Sequence, residues 1–394
     1  MDINQKSFEL GNKRSIIREI FEYSKERALQ IGSENVFDFS LGNPSVKPPK
    51  EVTDAILELV KNEDETVLHG YTSAQGDLGV RKTISDNLNQ RYNVGLTPSD
   101  IYMTCGAAAS LSISIKAVCN SGDECIVFAP FFTEYRVFIE NANAKVVVSN
   151  PDSNFQVDLL DFESKINKNT KAVIINSPNN PSGVVYSENT IKEIAKILNK
   201  KSKELNKKIY LIADEPYREL VYDDIVVPFL MNYYTDSIVC YSFSKSLSLP
   251  GERIGYIAIN NKMDNAKEVY LSVCGAGRSL GYVCAPSLFQ RVVAKAINAK
   301  TDVNQYKLNR DILYENLTEY GFDCVKPNGA FYLFLKSPSG DAFELYQRAK
   351  KYELLLVPCD DFGVKGYVRI AYCVDINRIK NSLPAFKKLA EEYK

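Results

Sequence analysis

The 394-residue chain is predicted to be an α/β protein: a mostly parallel seven-stranded sheet covered by helices on both faces, with a smaller α+β domain built from both termini. Three observations predict it. Short, near-continuous apolar runs recur at residues 101–104, 124–129, 144–148, 172–176, 209–213, 238–241 and 254–259, the pattern of strands buried on both faces. Helical segments at 107–118, 134–141 and 190–207 stand between most of them, as the crossovers of a parallel sheet require. Residues suited to chemistry gather just after the runs, where open α/β sheets carry their ligand sites.

Ahead of the sheet, residues 15–29 place apolar positions at helical spacing and Gly42-Asn43-Pro44 marks a loop. Beyond it, residues 287–320 read as one long helical segment, followed by short strands and helices at 330–335, 342–352, 367–372 and 376–393. We therefore expect residues 46–287 to form a large domain, and residues 1–45 with 288–394 to form a small one. The lysine-rich stretch 196–208 reads as a solvated helix face.

Lys and Arg number 48 against 49 Asp and Glu, a formal charge of −1 with both signs interspersed. That balance argues against nucleic acid or an anionic membrane as a partner. The first residues lack the apolar core of a signal peptide, and no apolar stretch approaches the roughly 18 residues of a membrane span, so a soluble, cytoplasmic protein is expected. The nine cysteines form an odd set without a C-x-x-C pair and sit mostly in apolar, strand-like contexts. They read as reduced, buried residues. With His69 the single histidine, a zinc site or a Ser-His-Asp triad has little to work with, and a general base must be sought elsewhere.

Ser242-Phe243-Ser244-Lys245, with Arg253 eight residues on inside Gly251-Glu252-Arg253-Ile254-Gly255, joins a lysine, two hydroxyls and an arginine at the end of an apolar run. A desolvated lysine there can attack an aldehyde, while Ser242, Ser244 and Arg253 supply donors for a dianion. Pyridoxal phosphate carries both groups. Asp214, in Asp214-Glu215-Pro216-Tyr217, follows another run and can keep a pyridine nitrogen protonated; the competing reading is a helix N-cap. Tyr217 and Asn180 could donate to the phenolic oxygen of such a ring. Thr104-Cys105-Gly106-Ala107-Ala108-Ala109 passes through glycine into an alanine-rich helix, whose first N–H groups favour an anion. Phe132, after Pro130-Phe131, is either a stacking ring for a flat cofactor or a core aromatic.

Taken together, these residues resemble the class I and II aminotransferases, the fold type I family of pyridoxal phosphate enzymes, and look aspartate aminotransferase-like. The resemblance runs from about Phe37 to the C-terminus. It rests on Gly42-Asn43-Pro44, Tyr71-Thr72-Ser73-Ala74-Gln75-Gly76, Asn180-Pro181-Ser182-Gly183, Asp214-Glu215-Pro216-Tyr217, the Ser-x-Ser-Lys segment, Gly251 to Gly255, and Arg369 in Val368-Arg369-Ile370. It implies that Lys245 holds the cofactor as a Schiff base and shuttles the proton of the reaction. Asp214 then partners the pyridine nitrogen, Tyr217 and Asn180 the phenolic oxygen, and Phe132 the ring face. Gly106, Ala107, Ala108, Ser242, Ser244 and Arg253 match the phosphate cradle. Tyr71 matches a tyrosine that family members lend to the neighbour's phosphate, so a homodimer is implied. Arg369 matches the arginine that grips the substrate α-carboxylate, with Gly42 and Asn180 close by.

Three departures stand out. Phe132 occupies a place where tryptophan or tyrosine is common, Ala107 and Ala108 offer no hydroxyl, and Glu252 fills an often apolar position for which we have no account. Arg278 lies near where some relatives carry an arginine, supplied by the partner subunit, that reads the distal carboxylate of aspartate or glutamate. The implied reaction moves an amino group from an L-amino acid, aspartate or a similar one, to a 2-oxo acid such as 2-oxoglutarate by a ping-pong route. A cysteine-S-conjugate β-lyase would use the same cofactor groups and release ammonia and pyruvate. A non-catalytic cofactor-binding regulator is the reading from another class, and the complete candidate site argues against it.

Overall fold

A computed structural model describes residues 2–12 and 16–394. A two-residue strand β1 (Phe37–Asp38) precedes β2 (Ile101–Thr104), β3 (Glu124–Phe128), β4 (Lys145–Ser149), β5 (Thr170–Asn176), β6 (Tyr210–Asp214), β7 (Ser237–Ser242) and β8 (Gly255–Ile259). The last seven form one sheet in the order β2-β8-β7-β6-β5-β3-β4. Strands β3 to β7 run parallel, while β8 is antiparallel to both β7 and β2.

Near-continuous hydrophobicity in these strands has the expected cause, because both faces are covered. In β6, Leu211 and Ala213 enter one apolar cluster while Tyr210 and Ile212 enter another; in β7, Val239 and Tyr241 alternate with Ile238 and Cys240 in the same way. Helices Ala107–Val118 and Ala266–Ser279 cover one face through Ile113, Ile115, Val269 and Val273. Helix Glu188–Glu204 covers the other through Ile194 and Leu198. Each side of a strand thus has its own core to bury into.

Later in the chain come β9 (Tyr332–Lys336), β10 (Leu354–Leu355), β11 (Val357–Pro358) and β12 (Tyr367–Ala371). Strands β11, β12 and β9 make an antiparallel sheet, and β10 pairs in parallel with β1, tying residues near the N-terminus to the C-terminal region. Phe39, Phe331, Leu333, Leu313, Ile370 and Phe386 share a core there.

The segment expected as one helix over 287–320 is two, Ser287–Lys295 and Val303–Tyr320. Asp302 starts the second by accepting a hydrogen bond from the Asn304 N–H, satisfying a donor that a continuous helix would have bonded internally. The N-terminal helix runs Ile16–Ile31, with the expected start at Ser15 outside the described residues, and a further helix Gln5–Asn12 precedes it. Among the described residues, no helix is long and apolar enough to cross a membrane.

Candidate active site

Three parallel strands deliver their last residues to one place. Asn176 ends β5, Asp214 ends β6 and Ser242 ends β7, and all three line a cavity of about 330 Å³. Asn176 braces its neighbours: its amide donates to the Asp214 backbone carbonyl at 2.9 Å, and its oxygen accepts the Asn180 N–H at 2.8 Å.

Asp214 is buried. One carboxyl oxygen accepts from the Tyr135 hydroxyl at 2.5 Å, whereas the other has no partner among the described residues. Burial pushes its pKa up to about 7, against the Tyr135 hydrogen bond, which pulls it down. A buried carboxylate oxygen without a donor is costly, and a protonated pyridine nitrogen is the kind of donor that satisfies it. The donor set therefore fits pyridoxal phosphate.

Lys245 sits on the short helix Phe243–Ser246, which begins where β7 ends and is capped by the Ser242 hydroxyl accepting from the Ser244 N–H. Its Nζ donates to the Gly42 carbonyl at 2.6 Å. Burial pushes the lysine pKa down to about 8, and the positive Arg253 and Arg369 act in the same sense.

Towards the sheet edge, Gly106 precedes helix Ala107–Val118 with a φ of 89° and no side-chain cap, so the first N–H groups of a three-turn helix stay open beside Ala107 and Ala108 in the cavity wall. A Cβ at Gly106 would lie 3.0 Å from the Arg253 guanidinium. The antiparallel pairing of Thr104 with Gly255 sets these two segments side by side. The Ser242 and Ser244 hydroxyls lie 2.7 Å apart beside them. Together they make a pocket of donors and positive charge suited to a phosphate.

On the opposite wall, Arg369 projects from β12 and is 2% exposed. It donates to the Asn180 side-chain oxygen at 3.0 Å and the Ser40 carbonyl at 2.7 Å, both neutral, while its Nε has no partner among the described residues. A buried guanidinium held only by neutral oxygens is well placed to take a carboxylate. Phe132 also lines the cavity and meets Tyr135 edge-on at 5.8 Å. Tyr217 is buried there, its hydroxyl 3.0 Å from that of Tyr332.

Two predicted residues stand elsewhere. Tyr71 is 99% exposed, and Arg278 lies exposed in the last turn of helix Ala266–Ser279; neither is in the cavity wall of its own chain. Sequence reasoning missed Tyr135, Asn176 and Tyr332. Tyr135 follows Phe132 by three residues, one helical turn, which is the signal that could have found it. A larger cavity of about 480 Å³, bordered by Arg91, Glu219 and Tyr241, contains none of the candidate residues.

Residues 34–386 match the family described as aminotransferase class I and II. The chain is 30% identical over 388 residues to a probable aspartate aminotransferase of Methanocaldococcus jannaschii, covering 96% of this chain and 98% of that one. Its structure is similar to that of an amino transferase from Eubacterium rectale, with a TM-score of 0.98, 52% identity and 100% of both chains covered. It is also similar to aspartate aminotransferase from Thermotoga maritima, with a TM-score of 0.85, 27% identity and coverage of 98% and 99%. A family match over nearly the whole chain, on a fold shared from end to end, means that this chain belongs to the class I and II aminotransferases and is a pyridoxal phosphate-dependent transaminase.

Proposed function

We propose that the enzyme moves an amino group from an L-amino acid, aspartate or a similar one, to a 2-oxo acid such as 2-oxoglutarate, with its cofactor held on Lys245. One observation carries this reading: a partly neutral lysine, a buried carboxyl with a free oxygen and an arginine bonded only to neutral oxygens converge in one cavity. Bound pyridoxal phosphate supplies an aldehyde for imine exchange and a ring that withdraws electrons from the substrate α-carbon. Asp214, through the oxygen left without a partner among the described residues, would keep the ring nitrogen protonated. Tyr217 and Asn180 would donate to the phenolic oxygen, and Phe132 would cover the ring. Gly106, Ala107, Ala108, Ser242, Ser244 and Arg253 would hold the phosphate. Arg369 orients the substrate by its α-carboxylate, with Gly42 and Asn180 beside it. With the cofactor bound, Lys245 Nζ would be the base in the cavity for the substrate α-proton, its burial favouring the neutral form that can accept one.

Exposure of Tyr71 supports the proposal that two copies associate, each lending this tyrosine to the other's phosphate. Arg278 would reach a distal carboxylate in the same way, across the interface. A panel of amino acids, each mixed with the enzyme while the imine absorption is followed, tests the assignment. Aspartate is expected to convert the cofactor to its amine form faster than alanine. Arg278→Ala is expected to reduce that preference by about tenfold or more, because a lost charged pair costs on the order of 1.5–3 kcal/mol. An unchanged preference removes Arg278 from substrate reading, and pyruvate formed without an oxo-acid acceptor would favour β-elimination.

The depressed pKa of Lys245 has its own consequence. An ordinary lysine, with a pKa of 10.5, is almost wholly protonated at pH 8, whereas Lys245 is about half neutral there. The rate of imine formation between the apoenzyme and pyridoxal phosphate is expected to rise through pH 8 and then level off. Stopped-flow absorbance checks this, and a rate still climbing beyond pH 10 would contradict it.

A further inference from the structure

Tyr332 stands where the groups assigned above meet. It opens β9 opposite Ala371 of β12, two residues from Arg369, and is 3% exposed. Its hydroxyl lies 3.0 Å from the Tyr217 hydroxyl, and the Arg369 guanidinium carbon lies 4.6 Å from its ring centroid. A Cβ at Gly42 would come within 1.9 Å of that same hydroxyl, so only glycine lets the loop pass. The Gly42 carbonyl is the acceptor for Lys245 Nζ. One side chain thus touches the phenolic-oxygen donor, the carboxylate-binding arginine and the loop that holds the lysine.

We propose that Tyr332 is a positioning residue with two separable tasks: its ring fixes the plane of the Arg369 guanidinium, and its hydroxyl fixes the direction in which Tyr217 donates. The inference rests on the pyridoxal phosphate reading of the site. When the Tyr332 hydroxyl donates to the Tyr217 oxygen, the Tyr217 proton is left for the cavity, and the two hydroxyls polarise each other in that direction. Donation from Tyr217 stabilises negative charge on the phenolic oxygen and lowers the proton affinity of the imine on Lys245. Without the Tyr332 hydroxyl that donation weakens, and the imine holds its proton to higher pH. The ring acts separately, since a cation over an aromatic face is held by the ring's quadrupole whether or not a hydroxyl is present.

Two substitutions in the holoenzyme separate these tasks. Tyr332→Phe keeps the ring and removes the hydroxyl; Tyr332→Leu removes both. Two readouts are independent of turnover: the pH titration of the imine absorption, and the affinity for succinate, a carboxylate without an amine, measured by the spectral change it causes. The phenylalanine variant is expected to raise the apparent imine pKa by roughly half a unit or more, with succinate affinity within about twofold of wild type. The leucine variant is expected to weaken succinate binding by about fivefold or more in addition. An unmoved imine titration in Tyr332→Phe overturns the proposal, as does a variant that loses only thermal stability while both readouts stay fixed. The phenylalanine variant is isosteric and decides the hydroxyl's task even where leucine disturbs folding. The underlying reading is checked separately in the wild type, by borohydride fixation of the cofactor to Lys245.

Discussion

Lys245→Ala is expected to lower turnover by about 10⁴-fold or more, the loss that follows from removing a general base worth about 10²–10⁴ together with the nucleophile. The two roles fall on one atom, because Nζ is the group next to both the Gly42 loop and the cavity. Folding should survive the change. Burial already disfavours the charged form of this lysine, so truncation removes a partly strained group along with a single hydrogen bond. Steady-state rates across the amino acid panel measure the loss. Borohydride treatment followed by peptide mapping supplies the second check, fixing the cofactor in the wild type and not in the variant. Normal turnover in Lys245→Ala would end the assignment of the site.

Asp214→Asn is expected to do two opposite things, cutting turnover by on the order of 10³-fold and stabilising the apoprotein. Catalysis falls because an amide nitrogen would face the pyridine nitrogen donor to donor, and the ring would lose the proton that makes it an electron sink. Stability rises for reasons of linkage. The folded pKa of Asp214 lies at about 7 against an ordinary 3.8, so between those values the folded state holds a proton that the unfolded state has released. Stability from this group therefore falls as pH rises through that window, and the full cost is present above pH 7. A three-unit shift corresponds to roughly 4 kcal/mol as an upper bound. Asparagine carries no charge and still accepts from Tyr135, so a gain on the order of 2 kcal/mol is expected at pH 8 and a smaller one at pH 5. Urea denaturation of both apoproteins at the two pH values tests it; an equal difference at both would deny the raised pKa.

The sheet was legible in the sequence because strands buried on both faces leave unbroken apolar runs, and β5, β6 and β7 fall on the runs at 172–176, 209–213 and 238–241 within two residues. Asp214 and Ser242 stood out as polar residues placed directly after such a run, and Lys245 by its place among Ser242, Ser244 and Arg253. Tyr332 was not, since an aromatic in Ala330-Phe331-Tyr332-Leu333 looks like any other core residue, and only the fold shows its hydroxyl turned to Tyr217. Asn176 hid for the opposite reason: it lies in a turn-rich stretch whose other asparagines, Asn179 and Asn180, read the same way. The break between the helices Ser287–Lys295 and Val303–Tyr320 was available in principle from Asp302, a side chain suited to an N-cap. Tyr71 and Arg278 were picked out by resemblance alone, and the fold leaves both exposed and outside the cavity wall of their own chain.

The antiparallel pairing of β2 with β8 carries a consequence for how the enzyme comes into being. Gly106 follows β2 and Arg253 precedes β8, so two sides of the proposed phosphate cradle are separated by about 150 residues of chain and meet only when the first and last strands of the sheet pair. Strand β2 borders β8 alone in this sheet, so during synthesis it has no strand to pair with until residues 255–259 have left the ribosome. The cradle is thus among the last features of the large sheet to form, and cofactor capture can stabilise only a sheet that is already closed. In this fold, holding the coenzyme is a certificate of finished assembly.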